Sequence, residues 1–171
     1  MRKKSKYKPK PVRADAVDWV LGGMKPFTSV SAGTDIRIKN HLAMDQLRRG
    51  VATKDDVDIL RGVVNMLEGL GRMGIGDDWQ EEIRAGQDAL LAVARRGVQN
   101  NMRFVVTGPE LKALNLAMEI HDAQLEACTV RQLEQAFDIV KEDILHKRTR
   151  AINAKDRTSP VSSVAETGNS K

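Results

Sequence analysis

The amino-acid sequence predicts an all-α protein, a compact bundle of about six helices built on antiparallel helical hairpins, with a disordered basic arm at the amino end and a disordered polar arm at the carboxyl end. Three observations carry this prediction. Apolar residues recur every three to four positions through the middle of the chain, the spacing of helices that bury one stripe. Helix start and stop signals separate the periodic stretches, with threonine ahead of carboxylates at the beginnings and glycine or asparagine at the ends. Aromatic residues make up only 4% of the chain, so Ala, Leu, Val, Ile and Met must fill the core, and most of these are good helix formers. A chain of 171 residues suits a single core. The organisation expected is a free basic arm over residues 1–11, a helical domain over 12–148 and a disordered tail over 149–171.

From Pro11 onward Ala16, Val17, Val20, Leu21 and Met24 share one helical face, until Gly22, Gly23 and Pro26 break the pattern. A polar connection over residues 28–34 leads to a second helix at 35–49, with Arg48 and Arg49 where the helix dipole favours cations and Gly50 just beyond. Thr53, followed by Asp55, Asp56 and Asp58, starts a long third helix reaching residue 73. Its two apolar faces, Val57-Leu60-Val64-Leu67 and Ile59-Val63-Met66-Leu70, make it central. Gly62 and Gly69 within it predict close approach of a neighbour, because a mid-helix glycine costs about 1 kcal/mol against alanine.

Gly74-Ile75-Gly76 closes that helix, and Asp77-Asp78 opens a fourth carrying Trp79, Ile83, Leu90, Leu91, Val93, Ala94 and Val98, which Gly97, Asn100 and Asn101 end. Phe104-Val105-Val106 has strand character but no second strand to pair with, and reads as an extended plug against the bundle. The Thr107-to-Glu110 and Thr129-to-Gln132 spacings are capping boxes. They open a helix to residue 127 and a final one over 130–148, whose packing face is Leu133, Phe137, Val140 and Ile144. The short breaks at 50–53 and 128–129 imply that the helices on either side fold back on each other.

The net charge of +5 hides a segregation. Residues 1–13 carry Arg2, Lys3, Lys4, Lys6, Lys8, Lys10 and Arg13 and no acid, while Lys147, Arg148, Arg150, Lys155, Arg157 and Lys171 outweigh Asp156 and Glu166 in residues 147–171. With +7 in the first stretch and +4 in the second, the body between is left at −6. A polyanion would meet the ends first. The candidate nucleic-acid contacts are therefore the seven amino-terminal cations, with Tyr7 able to stack on a base, and Lys147, Arg148 and Arg150. The competing reading is that the lysine tails only confer solubility. The longest apolar run, residues 89–94, is too short for a membrane span, and the basic amino end does not lead into the apolar core of a secretory signal. Cys128 is alone, so it forms no internal disulfide, and the expectation is a cytoplasmic protein without a membrane partner.

No catalytic constellation emerges, and neither a cofactor nor a metal is expected. Gly69-Leu-Gly71-Arg-Met-Gly74 matches the letters of a dinucleotide fingerprint but ends a helix and follows no strand. Glu119, Asp122 and Glu126 share a helical face, with His121 beside them, as metal ligands would. A second such set is lacking, so His121 reads as a buried, hydrogen-bonded side chain and the carboxylates as a solvated face. Cys128 reads as a small core residue. Arg131, Gln132 and Gln135 are base-reading types near a helix start, but the turn before them is shorter than helix-turn-helix recognition uses.

At Arg37-Ile-Lys-Asn-His-Leu-Ala-Met44, at Leu114-Asn-Leu-Ala-Met-Glu-Ile-His-Asp-Ala-Gln-Leu-Glu126 and in the Lys-Tyr-Lys-Pro-Lys opening, the chain resembles small helical proteins carried by bacterial temperate phages and related mobile elements. That resemblance implies a bacterial cytoplasm and a regulatory, accessory or host-interfering role, and assigns no active site. The expected function is a non-enzymatic binding protein that contacts nucleic acid through its basic arms. The alternative is an inhibitor or adaptor that binds a host protein, such as a defence component, through the acidic body. A homodimer is compatible with either.

Overall fold

The computed structural model describes residues 23–27, 31–146 and 148. Among them are five α-helices: α1 (Ser31–Arg48), α2 (Lys54–Arg72), α3 (Gln80–Gln99), α4 (Gly108–Ala127) and α5 (Val130–Leu145), with a 3₁₀ turn (Asp77–Trp79) leading into α3. No strand forms among the described residues, and one isolated antiparallel bridge joins Pro26 to Thr129. The expected first helix, apart from its last residues, and both expected arms lie outside the described residues.

The middle helix is central, as its two apolar faces require. Packed around α2 are α1, α3, α4 and α5. Val57, Leu60, Val63, Val64 and Leu67 of α2 enter one apolar cluster with Ala43 and Leu47 of α1, Ile83, Leu90 and Val93 of α3, and Leu114, Ala117 and Met118 of α4. Met66 and Leu70 belong to a second cluster, with Phe27, Leu125, Cys128, Leu133 and Ala136. Its start is capped as the sequence requires: Asp56 N–H donates to Thr53 Oγ1 at 3.3 Å, and Asp56 Oδ2 accepts from Thr53 N–H at 2.7 Å.

The extended plug also forms. Asn101 and Met102 take left-handed backbone angles (φ 52° and 64°) after α3 and turn the chain back. Phe104, 3% exposed, then lies on Gly97, where any Cβ would collide with its ring. Arg96 holds the segment, donating to the Val105 carbonyl and to Glu110, whose Oε2 also accepts from Thr107 N–H at 2.8 Å. That arginine and the threonine keep the Glu110 carboxyl below its ordinary range against the opposing pull of burial.

Three expectations change. Helix α1 begins at Ser31, four residues before Asp35, since Gly33 packs against Phe27 so closely that a Cβ would sit 2.7 Å from the Phe27 carbonyl oxygen. Tertiary contact here overrides the weak helix propensity of Ser-Ala-Gly-Thr. Helix α5 ends at Leu145 and packs chiefly on α2 instead of folding back on α4. Its inner face is Leu133, Ala136 and Asp143, while Phe137 and Ile144 are 53% and 45% exposed. The small residues explain this rotation, because Gly69 of α2 admits α5 so near that a Cβ would lie 3.1 Å from Val140 Cγ2 and 3.2 Å from the Ala136 carbonyl oxygen. Close approach holds for Gly69 but not for Gly62, which has open space above it.

The glycines make a paired test in urea unfolding. At Gly86 a Cβ would lie 2.8 Å from Ala117 Cβ across the α3–α4 contact. Gly86→Ala is expected to lose about 1–3 kcal/mol to overpacking, despite the better helix propensity of alanine. Gly62→Ala is expected to gain up to about 1 kcal/mol, and a loss there would show that α2 needs the gap.

Candidate functional site

The basic candidates fall largely beyond what the structure describes: Arg2, Lys3, Lys4, Lys6, Tyr7, Lys8, Lys10, Arg13, Lys147 and Arg150 all lie outside the described residues. Arg148 is described, and its Nε donates to Asp143 Oδ1 at 2.8 Å. Asp143 also receives Arg72, which in turn holds Glu68 on its other side. Burial pulls the Asp143 carboxyl up, but the two arginines hold it below the usual carboxylate range.

The carboxylates of α4 do not form a metal-ligand set. Arg37 of α1 meets Glu126 Oε1 at 3.1 Å and Asp122 Oδ1 at 3.4 Å, and His41 Nε2 donates to Asp122 Oδ2 at 2.8 Å. Beneath these ion pairs Asn40 Nδ2 donates to His121 Nε2 at 3.2 Å, which puts the proton of the neutral ring on Nδ1. His121 is 3% exposed, and its Nδ1 is buried with no partner. Asp122 and Glu126 thus stitch α4 to α1 and are not a simple solvated face. Glu119 alone of the three makes no ion pair among the described residues. Among the described residues no group of three or more His, Cys, Asp or Glu is placed to hold a metal ion.

The other chemical candidates have structural positions. Cys128 is buried, its thiol donates to the Leu125 carbonyl at 3.7 Å, and burial pushes its pKa up, away from thiolate chemistry. The glycine-rich run ends α2, with Gly69 beneath α5, Gly71 against Gln80 and Gly74 (φ 82°) just past the helix. Gln132, a base-reading type by its chemistry, is engaged in capping α5, where its Oε1 accepts from Thr129 N–H at 2.9 Å.

What the sequence did not single out is a hollow of about 350 Å³ between the turn after α2 and the outer side of α4. The Ile75 amide returns to the Leu70 carbonyl at 3.0 Å, and Gly74 and Gly76 take the left-handed angles that let the chain double back. Gln124, 2% exposed, fixes this turn to the bundle: its Nε2 donates to the Leu67 carbonyl at 3.2 Å and the Ile75 carbonyl at 2.6 Å. Its Oε1 is buried without a donor. Ile75, Trp79, Leu116 and Ile120 form the apolar wall, Ala123 and Ala127 leave the space open, and Glu119 lines one side. Trp79, assigned from the sequence to the fourth helix, lies in the 3₁₀ turn before it and is 47% exposed. A tryptophan directly after two aspartates, at the start of a helix, was the available signal. Gln124 gave none, because only the fold sets a polar side chain of α4 under the turn.

No family model, characterised protein or solved structure matches this chain. No helix among the described residues is long and apolar enough to cross a membrane.

The buried imidazole gives the protein an acid limit. Burial, reinforced by His41 and Arg37 and opposed by Asp122, lowers the His121 pKa from 6.5 to about 4. The unfolded chain therefore binds more protons than the folded one between these values, so the contribution is complete above about pH 6.5 and is lost as pH falls to about 4. The loss amounts to about 3 kcal/mol at most. His121→Gln is expected to flatten urea-unfolding stability across this window, and an unchanged slope would assign the acid sensitivity elsewhere.

Proposed function

We propose that this chain is a non-enzymatic accessory or regulatory protein of a phage or mobile element that contacts nucleic acid through its basic ends. One observation carries the reading: +7 over residues 1–13 and +4 over residues 147–171 bracket a body of −6. An acidic bundle repels phosphate from its own surface, so the polyanion is engaged by the ends and held off the helices. Because Arg148 is already paired with Asp143, the amino-terminal cations carry most of the contact. Lysine and arginine side chains on phosphates read no bases, so sequence preference is weak.

A salt titration tests this. Binding of the full chain to duplex DNA, followed by anisotropy, is expected to weaken with log salt at a slope near about −6 if all seven amino-terminal charges meet phosphates. Deleting residues 1–13 removes most of the affinity, whereas Arg148→Ala changes it less than about threefold. No binding to DNA or RNA at about 50 mM salt sinks the proposal.

A second reading, an inhibitor or adaptor of a host protein, is favoured by a separate observation. Asp77, Asp78 and Glu119 form no salt bridge among the described residues; the two aspartates directly precede the half-exposed Trp79, and Glu119 lines the same hollow as the indole. An acidic, aromatic surface of this kind suits a basic partner. Retention of a host protein by the full chain, lost on Trp79→Ala but kept without residues 1–13, would select it.

A further inference from the structure

We infer that the hollow between the turn at 73–79 and α4 is a binding site for a small organic cation with an apolar body, an aryl-alkyl ammonium. This goes beyond either functional reading, because it uses neither end of the chain and needs no macromolecule. At about 350 Å³ the space falls within the range of small-molecule sites, and its wall is apolar: Ile75, Leu116 and Ile120 with the flank of Trp79. Such a wall takes a hydrocarbon body. The sign of the ligand's charge follows from the carboxylates. Glu119 lines the hollow, Asp77 and Asp78 precede Trp79, and all three are exposed without an ion-pair partner among the described residues. The nearest basic residue along α4, Lys112, lies two turns away from Glu119 on the adjoining shallow surface. An anion is repelled here, while an ammonium gains both the carboxylate and the neighbouring half-exposed indole.

The floor of the hollow is fixed in shape by Gln124. Gln124 cannot turn its amide, since two carbonyls hold Nε2, so Oε1 remains a buried acceptor without a donor. Gly76 contributes by having no side chain, because a Cβ there would lie 3.1 Å from Gln124 Nε2 and crowd the amide. Apolar wall, acidic edge and indole together select a cation over an anion or a plain hydrocarbon.

The chain has two tryptophans, so a full-length Trp19→Phe protein reports from Trp79 alone. Titration with 4-phenylbutylammonium is expected to give a saturable change in its fluorescence. The isosteric anion 4-phenylbutyrate should bind at least about tenfold more weakly, in keeping with the charge at the rim. Glu119→Gln, at an exposed position that leaves the fold intact, is expected to weaken the cation about three- to tenfold and leave the anion no worse. Ala123→Phe fills the space from the surface and should abolish the response while the helical circular dichroism stays unchanged. Equal binding of cation and anion, an undiminished response in folded Ala123→Phe protein, or no saturable response at millimolar cation overturns the inference.

Discussion

The bundle depends on one constraint: α2 is surrounded by four other helices, so it must be apolar on most of its circumference and small where its neighbours come nearest. Its side chains enter both apolar clusters, and no other described helix joins so much of the core. Burial of this kind stabilises by about 25 cal/mol per Å² of apolar surface, and it is concentrated on one helix here. Polar residues are admitted on α2 only at its ends and along the seam where Arg61 and Asp58 reach solvent. Asn65 is the exception, buried at 4% with its Oδ1 unpartnered.

Apolar packing alone would allow the neighbours to slide along α2, and polar side chains remove that freedom. Gln87 of α3 donates to the Val64 carbonyl at 3.3 Å and to Glu68 at 2.8 Å. Gln124 of α4 donates to the Leu67 carbonyl at 3.2 Å, one turn further on. Both glutamines are 2% exposed, so a shift of either helix by one turn would strand a buried amide. At the far end Arg72 reaches Asp143 and fixes α5 in the same way. Register is thus set by hydrogen bonds and depth by hydrophobic burial. The hollow beside Trp79 lies where Gln124 ties the turn to α4.

Much of this architecture is legible in the sequence because local chemistry and global packing agree. Thr53, Thr107 and Thr129 stand before acceptors three residues on, Phe104 follows a turn, and α2 is apolar on two faces. Legibility fails where a long-range partner decides. In α5 a stripe of Leu133, Phe137, Val140 and Ile144 looks like the buried face, yet the helix turns Ala136 and Asp143 inward because Gly69 accepts the first and Arg72 neutralises the second. Periodicity sees hydrophobicity; it cannot see a salt bridge across 71 residues of chain. The same blindness hides Gln124 and Asn40, ordinary polar letters whose roles arise only once α4 meets the turn and α1. The basic ends are conspicuous by composition, and of their cations Arg148 alone lies among the described residues.

The clamp between the segment before α1 and the α4–α5 connection has a consequence for how the molecule is made. Phe27 N–H donates to the Cys128 carbonyl, and Val130 N–H donates to the Lys25 carbonyl, each at 3.0 Å. Translation delivers residues 25–27 roughly a hundred residues ahead of the Cys128 and Val130 backbone groups that clamp them. The α1–α2 and α3–α4 contacts close over short loops and can assemble as they appear, whereas the clamp spans nearly the whole body and closes last. Phe27 is the apolar side chain left waiting in that interval, and its burial at 4% records the completed chain.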